Sequence, residues 1–262
     1  RVRDESGTIV GSTGAGFDPE HDDNPDIMWA SVAVDADHRR NQIGARLLSY
    51  LVAIAKKEGR VRLIGNTVER APAGVAMAQS IGMETKQAMH VNQLAIAEVD
   101  RALMEQWVTE GPKRAEGYEV FGWDGSVPEE YMDKYIDTVL VMNTAPRDDL
   151  EMNDFTLTAE QVREGEKRRD AVGVEEWTLV ARHLESGDWA GFHDVSWQPS
   201  DPKVVWVGAT GVRPEHRGHA LGKWLKAAMT LRVMDERRDV ENIRTGNADS
   251  NDAMLGINQE MG

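Results

Sequence analysis

The 262-residue sequence predicts an α/β protein built from two tandem domains, because the same strand–turn–helix pattern occurs twice along the chain. The earlier copy spans residues 34–47 and the later copy spans residues 212–225. Each copy leaves an apolar segment of strand-like composition, passes through a polar turn that contains His-Arg, and enters an amphipathic helix. A second strand ending in Asn and a short helix follow each copy in the same order. Two domains of about 100–150 residues also fit the chain length.

Apolar alternation and helical periodicity place the elements of the first half in order. A turn at Ser6 and Gly7 separates the first two strands, and Gly59 follows the first helix as a cap. We predict a first domain at 1–100 that ends in a strand at 88–96. Its other predicted elements are strands at 1–5, 8–16, 27–34 and 60–65, helices at 44–58 and 73–81, and a polar loop at 18–26.

The second half begins with a predicted helix and linker at 101–116, which we expect to break at Gly111 and Pro112. Thr158 is a predicted N-cap, because Gln161 stands at the spacing of a capping box. The second domain is predicted at 117–262. Its expected elements are strands at 118–123, 175–183, 189–197 and 203–212, helices at 128–143 and 158–171, and a turn at 144–150.

The repeated turn has the chemistry of a phosphate site. A helix start leaves its first backbone N–H groups unpaired and carries a partial positive charge, so it attracts a diphosphate. Small residues let the ligand approach the backbone, and an arginine can reach its oxygens. An ordinary strand–loop–helix connection explains either copy alone equally well. The residues concerned are Gly218, Ala220, Gly222 and Arg217 in the later copy, and Gly44 and Arg39 in the earlier one.

The two copies together resemble the GNAT superfamily of N-acetyltransferases, whose motif is Arg/Gln-x-x-Gly-x-Gly/Ala. Residues 217–222 and 39–44 match it, except that Ala220 and Gln42 replace the first Gly. The resemblance covers most of the chain and implies two tandem acetyltransferase-fold domains, each a twisted central mixed sheet flanked by helices. Compared with the family, the first domain is expected to lack its start and the second its last strands.

The resemblance also implies acetyl-CoA as the co-substrate, with CoA as product. In the family the turn binds the pyrophosphate, and backbone N–H groups of the strand entering the turn hold the thioester carbonyl. The residues that it places at acetyl-CoA are Thr210, Gly211, Val212, Arg217, Gly218, His219, Ala220, Leu221, Gly222, Asn247 and Asn251 in the later copy, and Arg39, Asn41, Gln42 and Gly44 in the earlier one.

Acetyl transfer to an amine needs a general base, expected on a central strand of the sheet. Asp194 and His193, in the strand at 189–197, are the first candidates, and Glu175 and Glu176 are weaker ones. Strand alternation points Asp194 and His193 to opposite faces, so at most one of them can serve. An exposed polar residue without a catalytic role is an equally good interpretation of each.

The family often uses a Tyr as general acid, four residues before the closing Gly of the last helix. Asn258 stands there in the second copy and Ala78 in the first. Neither can protonate a thiolate, although Asn258 could orient a water. We therefore predict that the second domain is catalytic and the first is degenerate.

The resemblance places the loop at 142–149 beside the acceptor, so Asn143 and Asp149 are candidate substrate-binding residues. A carboxylate there could hold an ammonium group, and an acidic loop with no such function is equally plausible. His216 and His219 have the spacing His-x-x-His, but no carboxylate accompanies them, and we predict no metal.

Composition excludes several classes of function. The formal net charge of −15 argues against nucleic acid as a partner. The chain has no cysteine, which excludes disulfides, thiolate zinc sites and a Cys nucleophile. We see no apolar run approaching the ~20 residues of a membrane span and no signal-peptide pattern at the start. These features predict a cytoplasmic protein with no membrane partner, as a monomer or homodimer.

The predicted function is therefore an N-acetyltransferase that transfers an acetyl group directly to the amine of a small molecule in a ternary complex. An antibiotic, an amino sugar or a similar metabolite would be the acceptor. Two alternatives stay open on the sequence: a non-catalytic acyl-CoA-binding or scaffolding protein, and a protein lysine or N-terminal acetyltransferase.

Overall fold

The computed structural model describes residues 1–17 and 23–262, so the polar loop predicted at 18–26 lies partly outside the described residues. The chain forms two compact units, each with its own mixed sheet, which confirms the predicted fold class. Unit 1 comprises Arg1–Thr85 and Met152–Asp154, and unit 2 comprises Lys86–Glu151 and Phe155–Gly262. Within the described part of the chain, no helix combines the length and apolar character needed to cross a membrane.

Unit 1 contains a four-stranded sheet in which the strands follow chain order. Strand β3 leads into helix α1, and the apolar face of α1 packs on the sheet through Leu51, Ala55 and Met28. The elements are β1 (Val2–Arg3), β2 (Ile9–Gly16), β3 (Ile27–Val34), α1 (Ile43–Lys57), β4 (Arg62–Ile64) and α2 (Pro72–Ser80).

Unit 2 contains a six-stranded sheet in the order β5-β10-β9-β8-β7-β6. Its elements are β5 (Met89–Ala95), α3 (Arg101–Arg114), β6 (Tyr118–Asp124), α4 (Met132–Val139), α5 (Ala159–Asp170), β7 (Glu175–His183), β8 (Trp189–Trp197), β9 (Val204–Val212), α6 (Leu221–Glu236), β10 (Asn242–Ala248) and α7 (Asp252–Met261).

The sequence analysis predicted the strand at 88–96 as the last strand of the first domain. In the structure, β5 does not belong to that sheet. It pairs antiparallel with β10 over its whole length, from Met89↔Ala248 to Ala95↔Asn242, and so lies in the sheet of unit 2. An alternating pattern predicts that a strand forms but carries no information about the edge with which it pairs. The division that we predicted at residue 100 therefore falls at Thr85 and Lys86 in the structure.

Two predicted helices also differ. The segment at 128–143 forms α4 between two 3₁₀ turns, Glu129–Tyr131 and Leu140–Thr144. Helix α3 continues through Gly111 and Pro112 instead of breaking there. At Gly111 the helix lies close to α6, where a Cβ atom would clash with the indole of Trp224. The glycine is needed for a close helix–helix approach.

The two faces of the unit 2 sheet are covered by different helices. On one face, Met229 and Val233 of α6 pack against the strand residues Val195 and Val205. On the other face, the turn that follows α4 contributes Val141, which packs with Val180, Trp189 and Phe192 of β7 and β8. Successive residues of the central strands therefore face two separate cores.

Candidate active site

Strands β9 and β10 form a cleft in unit 2. They are parallel and pair only at their starts, from Val204↔Asn242 to Trp206↔Arg244. Beyond that point β9 continues beside β8 and β10 continues beside β5, so the two strands separate. This β9–β10 cleft has Thr210, Gly211 and Val212 on one strand and Asn247 on the other.

A strained turn stands at the end of β9. After a 3₁₀ turn at Pro214–His216, Arg217 is extended, Gly218 has φ +88° and Ala220 has φ +57°. Ala220 is the N-cap of α6 and gives its first turn no side-chain hydrogen bond within the described structure. A left-handed conformation costs a non-glycine residue about 1–2 kcal/mol, and such strain is concentrated at functional sites.

The turn of unit 1 repeats this backbone. A 3₁₀ turn at Ala36–His38 is followed by the extended Arg39, by Arg40 at φ +67° and by Gln42 at φ +59°. Arg39 Nε donates to the carbonyl of Val34 (3.2 Å). The two copies detected in the sequence therefore have the same conformation residue by residue, although the residue types differ.

Arg217 is oriented by two hydrogen bonds. Its Nε donates to the carbonyl of Val212 (3.1 Å), and its Nη2 donates to Thr144 Oγ1 (2.9 Å). The guanidinium is thereby fixed beside the start of α6, where the helix dipole favours an anion. A phosphate in this position would meet the arginine and the backbone N–H groups of the first helical turn.

Gly222 faces helix α7, and Gly44 faces helix α2. A Cβ atom at Gly222 would lie 3.3 Å from Ile257 Cδ1, and one at Gly44 would lie 3.5 Å from Met77 Cε. Leu221 is buried against Trp224 and Leu225 in the core below the turn. These residues shape the helix start from its inner side.

The remaining predicted residues of the turns have local partners. The ring of His219 lies 5.2 Å from that of Tyr118, whose hydroxyl shares a 2.8 Å hydrogen bond with His216 Nδ1. Asn41 Nδ2 donates to the carbonyl of His38 (3.4 Å). Among the described residues, no group of three His, Cys, Asp or Glu side chains could hold a metal ion.

His193 and Asp194 lie on opposite faces of β8, as strand alternation predicts. His193 is buried on the α6 face and shares a 2.8 Å hydrogen bond with Thr210 Oγ1. Burial, with a smaller effect of the nearby Lys226 charge, lowers the pKa of His193 to about 3. Such a weak base is poorly matched to proton abstraction near neutral pH.

Asp194 accepts a hydrogen bond from the backbone N–H of Ala209 (2.9 Å) at a β-bulge. The bulge places Gly208 on β9 opposite the junction between Asp194 and Val195. A Cβ atom at Gly208 would clash with the Asp194 carboxylate. The carboxylate therefore reaches the bulge only because residue 208 is glycine.

Burial raises the pKa of Asp194 to about 7, and the charge of Glu176 adds to this rise. The Glu176 carboxylate is itself largely buried and pairs with Arg169 (2.7 Å). Burial also raises the pKa of Tyr135 on α4, with a contribution from Asp194. A carboxyl group with a pKa near 7 suits a general base at neutral pH.

Asn258 is engaged through both ends of its amide. Its Oδ1 accepts from Lys226 Nζ (2.6 Å), and its Nδ2 donates to Asn247 Oδ1 (2.8 Å). Asn92 Nδ2 on β5 donates to the same Asn247 oxygen (3.3 Å). The network joins α6, α7, β10 and β5 at the β9–β10 cleft, and it brings together two predicted residues, Asn247 and Asn258.

Asn143 and Asn251 are used within their own segments. Asn143 Oδ1 accepts from Arg147 Nη2 (2.9 Å) and from the N–H of Phe155 (3.0 Å), which ties down its loop. Asn251 caps α7 by accepting from the N–H of Met254 (3.3 Å). Asp149 is exposed. The side chains of Asn143 and Asn251 therefore form hydrogen bonds within their own segments.

The sequence analysis did not single out Lys226 or Tyr135. Lys226 is buried in α6, where a lysine is unusual, and its place beside the apolar residues Leu225 and Ala227 was the available signal. Tyr135 has no comparable signal, because a tyrosine on α4 is equally expected in a core.

Known proteins resemble this chain in sequence over its first part and in fold over almost its whole length. Residues 2–83 match the family model described as the acetyltransferase (GNAT) family. A tandem GNAT protein from the clavulanic acid biosynthesis pathway has 25% identity and a TM-score of 0.78, over 99% of this chain and 77% of its own.

A GCN5-related N-acetyltransferase from Sphaerobacter thermophilus shares the fold, at 14% identity and a TM-score of 0.66, over 95% of this chain and 71% of its own. A search of the curated proteins gave no match.

Proposed function

Because the chain is a tandem, two-domain member of the GNAT superfamily, we propose that it is an N-acetyltransferase that moves the acetyl group of acetyl-CoA to the amine of a small molecule. An antibiotic, an amino sugar or a similar metabolite is the proposed acceptor. The origin of the 25% identical neighbour in a biosynthetic pathway supports a small molecule. The proposed site of the reaction is unit 2, and unit 1 has a mainly structural role.

The residues of unit 2 fit acetyl-CoA. The strained turn, the start of α6 and the fixed guanidinium of Arg217 offer a site for the pyrophosphate. The β9–β10 cleft would receive the thioester arm, with backbone N–H groups near Thr210 and Val212 polarising the carbonyl.

In the proposed reaction, acetyl-CoA supplies an activated thioester: the acceptor nitrogen bonds to the acetyl carbon, the carbon–sulfur bond breaks and coenzyme A leaves as a thiolate. Asp194 removes the proton that the amine must lose, directly or through a water. Both substrates are proposed to be bound together, as direct transfer from the thioester to the amine requires.

The observation that carries this proposal is the Asp194 carboxyl, which accepts a hydrogen bond from Ala209 at the bulge of β9 and whose pKa is raised to about 7 by burial. Asn258 has a supporting role only, since both ends of its amide are occupied.

Release of free CoA from acetyl-CoA, measured over a panel of small amines and peptides, tests this function. We expect release with at least one small amine and none with the peptides. Release with peptides alone would point to a protein acetyltransferase. Tight acetyl-CoA binding without release for any acceptor would overturn the catalytic assignment.

A further inference from the structure

A cavity of about 180 Å³ lies in unit 2 between the sheet and helices α6 and α7. Strands β5, β8, β9 and β10 form its sheet wall. Its lining residue on β9 is Val207, beside the paired start of β9 and β10, whereas Thr210 and Val212 stand further along the strand. The cavity therefore lies at the closed end of the β9–β10 cleft.

Lys226 of α6 carries the charge of this cavity. Among the described residues that line it there is no Asp or Glu, although the whole chain has a formal net charge of −15. The other titratable group there is His193, and burial lowers its pKa to about 3, so that it is neutral near pH 7. The cavity is thus locally positive in an acidic protein.

The Lys226 ammonium has one hydrogen-bond partner within the described structure. Only 5% of the residue is exposed. Its Nζ donates to Asn258 Oδ1 (2.6 Å), and no carboxylate of the described residues forms a salt bridge with it. An ammonium has three donors, and a buried charge is unfavourable unless it is paired. Its remaining N–H bonds are available to an anion in the cavity.

The rest of the lining indicates the kind of anion. Thr230 stands one turn after Lys226 on α6, is buried and adds a hydroxyl donor. A carboxylate at these donors would direct a short hydrocarbon chain toward the apolar lining, whereas an inorganic anion would leave that lining without a partner. The apolar residues are Leu94, Val195, Val207, Met229, Ile243 and Met261.

The volume sets the length of the chain. A cavity of about 150 Å³ accommodates a benzene molecule. A cavity of about 180 Å³ therefore has space for an organic acid of similar size, such as butyric acid.

We propose that this cavity binds the anion of a short-chain monocarboxylic acid, with Lys226 as its counter-ion. The ligand is a free acid that undergoes no reaction. The inference does not depend on the proposed function, because it concerns the closed end of the cleft and involves neither acetyl-CoA nor the acceptor amine.

Titration calorimetry on the full chain at constant ionic strength tests the site with butyrate and with butyramide, its uncharged analogue. We expect butyrate to bind at least about tenfold more tightly than butyramide at pH 7, as one charge-assisted hydrogen bond would give. Equal affinity of the two compounds, or no binding of butyrate, would overturn the proposal. Chloride binding as tight as that of butyrate would overturn the organic class of the ligand.

The pH dependence of butyrate binding is a second measurement on the unmodified protein. Burial lowers the pKa of the free Lys226 ammonium to about 8, and an anion beside it would raise that pKa. Binding should therefore take up protons at pH 8, seen as a difference in heat between two buffers, and affinity should fall about tenfold from pH 7 to pH 9. Affinity that is constant over this range would contradict the assignment of Lys226.

Two lysine variants identify the counter-ion. Lys226→Met keeps the length of the side chain and should abolish the preference for butyrate over butyramide. Lys203→Met, which removes an exposed lysine paired with Glu241, should retain it. A folded Lys226→Met protein that keeps the preference would refute the site, and if this variant does not fold, the pH dependence decides. Failure of the anion site leaves the proposed acetyl transfer unaffected, because none of these measurements uses acetyl-CoA.

Discussion

At the residue scale, the protonation and the position of the Asp194 carboxyl both depend on its neighbours in the sheet. Burial raises its pKa to about 7, and Glu176 adds to the effect. Gly208 leaves the space that the carboxylate occupies, and Ala209 donates to it. Gly208 on β9 therefore helps to position the Asp194 carboxylate on β8.

Asp194→Asn keeps the shape of the side chain and removes the base. We expect kcat/KM to fall by about 10²–10⁴-fold, the usual contribution of general base catalysis. Acyl-CoA affinity should be unchanged, as measured by titration calorimetry. Glu185→Gln is the matched control, because it makes the same acid-to-amide change on an exposed turn between β7 and β8. Full activity in Asp194→Asn would remove Asp194 from the mechanism.

The pH profile of kcat/KM tests the same residue independently. Asp194 acts as a base only when it is ionised, and its pKa is raised to about 7. The rate should therefore rise with pH through about 7 and level off above it, in steady-state assays with a fixed acceptor. This rise of kcat/KM with pH should be absent from the residual activity of Asp194→Asn. A profile already flat from about pH 5 upward would contradict the raised pKa.

At the scale of elements, the two repeated turns before α1 and α6 share a conformation that their sequences only partly favour. Ala220 and Gln42 adopt left-handed backbone angles that glycine takes without strain. The spacing of the motif predicted the turns and the helices after them. It did not predict the partner of β5 or the role of Gly111, because both depend on contacts between segments distant in sequence.

Ala220→Gly relieves the strain at the N-cap of α6. We expect the free energy of unfolding to rise by about 1 kcal/mol in urea titrations. Ala228→Gly, inside the same helix, should lower it by about 1 kcal/mol, since glycine is unfavourable there. A destabilised Ala220→Gly protein would show that the turn is not strained.

For the whole molecule, the main structural consequence is the boundary between the units. Strand β5 belongs to the sheet of unit 2, so the second unit begins at Lys86. The alternation of residues 88–96 was readable in the sequence, but its pairing partner lay more than a hundred residues away. A cavity in unit 2 could not be predicted for the same reason, because its walls come from six elements that lie far apart along the chain.

Two truncated chains test this boundary. We expect residues 86–262 to give a folded protein with a cooperative thermal transition, because they contain all six strands of the sheet. Residues 101–262 lack β5 and expose the edge of β10, so they should aggregate or lose cooperativity. Equal stability of the two chains would contradict the assignment of β5 to unit 2.

The most direct test of the central claim is titration calorimetry with acetyl-CoA on matched variants of the two turns. Leucine at residue 222 would press on Ile257 and Met254 and displace α7 from the start of α6. We predict that Gly222→Leu loses acetyl-CoA binding and CoA release, while Gly44→Leu keeps a functional site. Unchanged binding and turnover in a folded Gly222→Leu protein would contradict the assignment of the acyl-CoA site to unit 2.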